Sequence, residues 1–198
     1  MNSYGSEKKQ RKLPVILNME EQKALLAQPN PKAPTGLRNL CIIKLMLDAG
    51  LRLSEVINLR PEDIDMQDGI MRVHNEGEHK DERTLWLGED TLNLIKRWIG
   101  IKPAGEYLFC TLKGGRLDDR YIREMVKRLA GRAKIKKNVF PHSLRHSFAA
   151  DLYRKTRNIR IVQEALGHAD LSTTMIYTYL IDEKLEKAMQ FFRPGEAA

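Results

Sequence analysis

Apolar residues recur along most of the chain with the period of a helix, and proline-rich and glycine-containing segments interrupt them. Asn18, with Glu21 three residues later, has the pattern of an N-terminal cap, and Ser54 can cap a short helix that closes before Pro61. Gly50 ends the preceding helix. The predicted helices cover about 19–28, 36–48, 54–60, 89–99, 118–133, 142–155, 159–166, 172–179 and 183–192.

The period of the hydrophobic pattern changes in one central segment, which begins at Gly69. Residues 70–73 and 84–87 predict two short strands on either side of a polar connection from His74 to Arg83. Residues 107–110 also have the pattern of a strand. The chain is therefore predicted to be an α+β protein, mainly α-helical, with a small antiparallel β-sheet inserted.

Charge and composition narrow the kind of partner. The 198 residues favour one domain, and 42% hydrophobic with 30% charged residues is typical of a soluble globular protein. The net charge is +8 and is spread along the chain. A binding face for an anionic partner is expected, with nucleic acid first and an acidic membrane surface second.

Several classes of protein are disfavoured by what the sequence contains. No apolar stretch approaches the roughly 18 residues of a membrane-spanning helix. Residues 1–12 are polar and basic, unlike a signal peptide. Cys41 and Cys110 are too few for a disulfide framework and lack the spacing of a metal site. A cytoplasmic protein with reduced thiols is expected.

Side chains suited to phosphodiester chemistry concentrate in the last third of the chain. His142 and Arg145 are three residues apart, so on a helix they share one face and can reach one ligand. Gly167 has the position of a left-handed C-cap that holds His168 just beyond a helix end. Tyr177 is expected about one turn into the next helix, and its phenol can serve as a covalent nucleophile.

Taken alone, each of these residues also has an ordinary explanation. An isolated H-x-x-R pair is usually part of a polar surface helix, and a lone tyrosine is usually a core aromatic with a satisfied hydroxyl. Arg52, just after Gly50, would alone be an ordinary helix-end cation. His146 faces elsewhere on its helix, which favours a packing or solvent role.

Taken together, the motifs match one known pattern. It resembles the catalytic domain of tyrosine recombinases, the family of phage integrases and Xer recombinases, from about Leu13 to Leu180. The motifs that carry the resemblance, in order along the chain, are Ala-Gly-Leu-Arg52-Leu-Ser-Glu55, His142-Ser-Leu-Arg145-His146, Leu-Gly-His168 and Thr-Thr-Met-Ile-Tyr177.

The resemblance implies site-specific DNA cleavage and rejoining through a 3′-phosphotyrosyl link. In such a reaction Tyr177 would attack the scissile phosphate, and Arg52 and Arg145 would hold its two non-bridging oxygens. His142 would assist with the tyrosine proton, and His168 would hydrogen-bond the phosphate.

The same resemblance implies supporting groups and partners. Glu55 would orient catalytic groups, and neither ATP nor a metal would be required. The partner would be double-stranded DNA. The implied domains are a disordered basic lead-in over 1–12, the catalytic domain over 13–182, and a C-terminal helix and tail over 183–198. An apolar side of Asp182–Phe192 favours docking on an adjacent protomer, which would tie four protomers into a ring on DNA.

Two departures from the family pattern are visible. Members commonly carry a helical DNA-clamping domain before the catalytic one, and here about a dozen residues precede it, so a fragment or a naturally short recombinase is expected. The hairpin that usually delivers a lysine general acid has Asn75-Glu76-Gly77 where Xer-like proteins have Gly-Lys-Gly. Lys80, the only lysine of the loop, is the candidate, and a solvated hairpin tip is the alternative.

Competing functions share part of these features. A type IB topoisomerase uses the same kinds of tyrosine and arginine to swivel one strand and so relax the duplex. A non-catalytic DNA-binding regulator would also be basic and helical. A histidine-based metal hydrolase is the least favoured, because the histidines lack metal-ligand spacing and no carboxylate pairs with them.

Overall fold

The computed structural model describes residues 13–74, 82–168, 171, 174–178 and 181. Within these residues the chain forms seven α-helices, a further helical segment at 176–178 and one three-stranded sheet, which confirms the predicted fold class. The elements are α1 (Met19–Leu26), α2 (Pro34–Asp48), α3 (Leu53–Asn58), β1 (Ile64–Asp65), β2 (Ile70–His74), β3 (Glu82–Trp86), α4 (Glu89–Ile99), α5 (Asp119–Arg132), α6 (Pro141–Thr156) and α7 (Ile159–Leu166), with a 3₁₀ turn at Pro61–Asp63.

The starts of two helices show how side chains fix helix ends. At α1 the predicted capping box is present: Asn18 accepts from the Glu21 amide and Glu21 accepts from the Asn18 amide, each at 2.8 Å. At α3 the prediction was wrong, because the N-cap is Arg52 and Ser54 lies inside the helix. The Arg52 amide donates to Glu55 Oε2 at 2.6 Å, so the carboxylate three residues into the helix satisfies this N–H.

The sheet is antiparallel in the order β1–β2–β3. Two of its strands were predicted, whereas β1 is two residues long, too short for any period to show. The predicted strand at 107–110 was wrong: Cys110 forms an isolated bridge with Arg116, and 107–109 lie outside any strand. A tight turn at Gly114 (φ 82°) brings these two residues together.

The core is organised around α2, which packs against α1, α4 and α6 and is buried on most of its surface. The predicted inward face of α5 is confirmed, with Ile122, Met125, Val126 and Leu129 buried. A second, smaller cluster joins Ala149 of α6, Val162 and Leu166 of α7, and Tyr177. Helix α6 borders both clusters, since Leu144 belongs to the larger one and Ala149 to the smaller.

Parts of the chain with specific predictions lie outside the described residues. These parts are the lead-in at 1–12, the hairpin segment 75–81 that contains Lys80, and 182–198. Among the helices that are described, none combines the length and the apolar character needed to cross a membrane.

Gly50 lies at a backbone position where no larger residue fits without strain. Its φ is +61°, a left-handed conformation, and an added Cβ would lie 2.3 Å from Cδ1 of Phe148. Gly131, inside α5, has open space around the same position. Gly50→Ala should therefore lower the free energy of unfolding by about 1–3 kcal/mol.

The matched control, Gly131→Ala, should raise the free energy of unfolding by about 0.5–1 kcal/mol, because alanine loses less entropy in a helix. Urea denaturation of both variants measures the difference. A Gly50→Ala protein as stable as the wild type would contradict the structure at the junction of α2 and α6.

Candidate active site

Glu55 is the centre of the candidate site. Its side chain is only 4% exposed and accepts from Arg52 Nη1 at 2.8 Å and from Arg83 Nη1 and Nη2 at 2.8 and 2.7 Å. Arg145 Nη1 lies 3.7 Å away. Burial alone would raise the pKa of Glu55, but Arg83, the Arg52 amide and the charge of Arg145 together lower it. The carboxylate is therefore ionised and links three arginines.

Arg145 of α6 joins two distant helix ends. Its Nη1 donates to the Gly50 carbonyl after α2, and its Nη2 donates to the Leu166 carbonyl at the end of α7, both at 2.6 Å. Burial and the neighbouring Arg52 lower the pKa of Arg145 to about 10, and Glu55 opposes that shift. The guanidinium thus remains charged at neutral pH.

The end of α7 receives all three arginines on consecutive carbonyls. Arg83 Nε donates to Ala165 at 2.9 Å, Arg145 Nη2 to Leu166 at 2.6 Å, and Arg52 Nη2 to Gly167 at 3.0 Å. The last carbonyls of a helix lack intrahelical donors and carry the negative end of its dipole. They therefore satisfy cations that would otherwise repel one another. Arg52 is the most accessible of the three, with a side chain 34% exposed.

His168 lies directly after the predicted C-cap, which is confirmed: Gly167 is left-handed with φ 61°. Its Nε2 is 3.2 Å from Arg145 Nη2 and its Nδ1 is 2.9 Å from Thr174 Oγ1. Burial, followed by the charges of Arg145 and Arg52, lowers the pKa of His168 to about 4. Because an arginine can only donate, the neutral ring accepts at Nε2 and carries its proton on Nδ1.

Tyr177 is enclosed: its side chain lies in the smaller core cluster, and the residue is 2% exposed. The phenol oxygen is 2.7 Å from Nδ1 of His146. Burial raises the pKa of Tyr177 to about 12, although Arg145 opposes the shift, and burial lowers the pKa of His146 to about 4. The phenol and the imidazole are therefore both neutral and share a hydrogen bond.

The two histidines of α6 lie near each other. His146 is half-buried and packs against Tyr177, within the packing or solvent role predicted for it, but its hydrogen bond to the phenol was not predicted. His142 is exposed, and its ring centroid lies 6.5 Å from that of His146. Burial and the charges of Arg145 and Arg123 lower the pKa of His142. The spacing of four residues already put both rings on one helical face, which was the available signal.

Arg83 is the site residue that the sequence interpretation missed, because it was assigned to the polar connection between the strands. In β3 it occupies a buried position in an alternating pattern that it shares with Leu85. An inward-facing charge in such a strand requires a buried partner. Glu55 and the end of α7 provide that partner.

The chain is similar to known proteins in sequence and in fold. The sequence matches the phage integrase family over residues 16–184. The tyrosine recombinase XerD of Staphylococcus aureus strain Mu50 is 35% identical over 196 residues, covering 96% of this chain. The chain spans 66% of the length of that relative.

Solved structures are similar over nearly the whole chain. The XerA recombinase superimposes with a TM-score of 0.78 at 30% identity, covering 96% of this chain and 68% of the other. The XerH recombinase bound to palindromic difH substrate, in a post-cleavage complex, also has a TM-score of 0.78, at 34% identity, covering 91% of this chain and 54% of the other. The family resemblance inferred from the motifs is confirmed.

The depressed histidine pKa values predict how stability depends on pH. The unfolded chain takes up protons on His146 and His168 near pH 6.5, whereas the folded chain takes them up near pH 4. The free energy of unfolding should therefore fall as the pH decreases from about 6.5 to about 4.5. His146→Asn removes one of these sites, so urea denaturation at several pH values should give a shallower fall. A slope equal to that of the wild type would contradict a neutral, buried His146.

Proposed function

The chain belongs to the phage integrase family, and we propose that it is the catalytic part of a tyrosine-type site-specific DNA recombinase. It cleaves and rejoins double-stranded DNA through a 3′-phosphotyrosyl intermediate. The observation that carries the proposal is the convergence of Arg52 and Arg145, from distant parts of the sequence, on Glu55 and the end of α7, beside His168.

The proposed chemistry conserves the energy of the phosphodiester bond. The Tyr177 oxygen forms a bond to phosphorus, and the bond from phosphorus to the 5′-oxygen breaks. The phenol proton goes to a base, and the departing oxygen takes up a proton to become a 5′-hydroxyl. The 5′-hydroxyl of another strand then reverses the steps, so that the proposal needs neither ATP nor a metal.

Arg52 and Arg145 are proposed to bind the two non-bridging oxygens and to neutralise the charge that develops in the transition state. Two features of Arg52 support this role. Its side chain is partly exposed, and Glu55 accepts hydrogen bonds from both its backbone amide and its guanidinium. A pre-positioned guanidinium loses little freedom when it binds phosphate. Glu55 is proposed to orient this pair.

Tyr177 has to leave its buried position before it can attack. Transfer of its proton to His146 is strongly unfavourable, because the pKa values are about 12 and about 4. We propose that the phenol moves towards the bound phosphate and that His142, on the exposed side of α6, assists with the proton there. DNA binding would supply the free energy for this movement.

His168 is proposed to hydrogen-bond the phosphate after Arg145 turns towards it. The ring then needs its proton on Nε2 rather than Nδ1. Thr174 supports such a change of tautomer, because its hydroxyl can donate to Nδ1 as readily as it can accept from it.

Other parts of the proposal concern residues outside those described. Lys80 is proposed as the general acid for the 5′-oxygen; it belongs to the segment between His74 and Glu82, which pair at the ends of β2 and β3. The C-terminal helix at 183–192 is proposed to dock on a neighbouring protomer and so to assemble a tetramer on DNA. The cytoplasmic location stays a prediction.

The decisive experiment uses a pool of duplexes with randomised arms, nicked near the cleavage site. The short piece of strand between the cleavage site and the nick dissociates after cleavage, so the protein stays covalently attached. The wild-type protein should form an adduct that survives denaturation, and peptide mapping should place the link on Tyr177. Tyr177→Phe should keep its affinity for DNA and form no adduct. The control is Tyr153→Phe, at a half-buried tyrosine that packs on the same cluster.

The same captured substrate separates the competing functions. Joining of the trapped strand to a second duplex supports a recombinase, whereas rejoining confined to the original duplex indicates a relaxing enzyme of the type IB topoisomerase kind. Specific binding without any adduct would indicate a non-catalytic regulator and contradict the proposal. The comparisons favour the first outcome.

A further inference from the structure

We infer that Arg83 is a positioning residue of the site: it neutralises Glu55 and fixes the end of α7, so that Arg52 and Arg145 keep their positive charge for the phosphate. The inference rests on the proposed function. It concerns a strand residue that would touch neither DNA nor the reacting atoms.

The contacts of Arg83 account for all three nitrogens of its guanidinium. Both Nη atoms donate to the two oxygens of Glu55, at 2.8 and 2.7 Å, in a two-pronged pair. The Nε donates to the Ala165 carbonyl at 2.9 Å. The side chain is 9% exposed, so it cannot itself bind a phosphate from solution.

A carboxylate in a phosphate-binding site creates an electrostatic problem that Arg83 solves. An uncompensated Glu55 would repel phosphate and attract the guanidinium groups that should bind it. Arg83 donates to both carboxylate oxygens, whereas Arg145 is 3.7 Å from one of them and the Arg52 side chain also donates to the Gly167 carbonyl. The charge of Glu55 is therefore balanced chiefly by Arg83, and the other two arginines retain an excess of positive charge.

The second part of the role is mechanical. Arg83 holds the Ala165 carbonyl, and the next two carbonyls hold Arg145 and Arg52. It also packs beneath the turn that precedes His168: a Cβ added to Gly167 would lie 3.1 Å from Cδ and Nη1 of Arg83. A shift of Arg83 would thus displace the acceptors of both phosphate-binding arginines together.

The test replaces Arg83 with Gln, which keeps a polar side chain and removes the charge. The assay is single-turnover cleavage of the nicked duplex captured by the wild-type protein, at saturating protein. Arg83→Gln should slow cleavage on the order of 10²-fold, as misplacement of catalytic groups does, and should change the dissociation constant for DNA little. The matched control is Arg72→Gln, on the neighbouring strand, where the side chain is 62% exposed. It should cleave at the wild-type rate.

A double variant separates positioning from simple packing. In Arg83→Gln the charge of Glu55 is left to Arg52 and Arg145. Adding Glu55→Gln releases these two arginines for the phosphate and should restore part of the lost rate. Partners that act through one another show such non-additivity. Packing alone predicts the reverse, a double variant that is slower and less stable than either single variant, and that result would overturn the inference.

The outcomes also separate the inference from the function on which it rests. If wild type and Arg72→Gln form the adduct and Arg83→Gln cleaves as fast as they do, the role of Arg83 falls and the proposed function stands. If neither the wild type nor Arg72→Gln forms an adduct, the role of Arg83 and the proposed function both fall. Should Arg83→Gln melt below the assay temperature, Arg83→Lys takes its place. That variant keeps the charge and loses the two-pronged geometry, and wild-type cleavage by it would overturn the inference.

Discussion

The arrangement of the site depends on one buried carboxylate and one helix end. Glu55 and the last carbonyls of α7 hold Arg52, Arg83 and Arg145, which come from the start of α3, from β3 and from α6. Three guanidinium groups gathered in one site would repel one another. The ionised carboxylate of Glu55 and the carbonyls at the end of α7 lie between them and offset this repulsion. The same contacts connect the sheet to α6 and α7, so the charged cluster is both the centre of the site and a structural junction.

The arginines and the tyrosine of the site differ in how closely their positions suit the proposed reaction. Protein acceptors hold the arginines in place, whereas Tyr177 is enclosed and bonded to a neutral His146. A phenol in that state is a poor nucleophile. The proposed reaction therefore begins with a change in the position of the tyrosine.

Local signals in the sequence identified much of this structure, and non-local contacts explain the rest. The capping box at Asn18 and the left-handed Gly167 follow from spacings of a few residues. Arg83 and the hydrogen bond of His146 were missed because the partner residues, Glu55 and Tyr177, lie 28 and 31 residues away. The cap of α3 was misassigned because the N-cap position belongs to Arg52, whose own amide donates to Glu55 three residues later.

The most direct test of the central claim, that the arginine pair neutralises the scissile phosphate, changes the charge of the phosphate itself. Arg145→Ala is assayed on a nicked duplex with an ordinary phosphodiester and on one with a neutral methylphosphonate at the cleavage position. With no charge to neutralise on the second substrate, the defect of Arg145→Ala relative to wild type should become much smaller there. An equally large defect on both substrates would contradict the account, because Arg145 would then act through folding or general DNA binding.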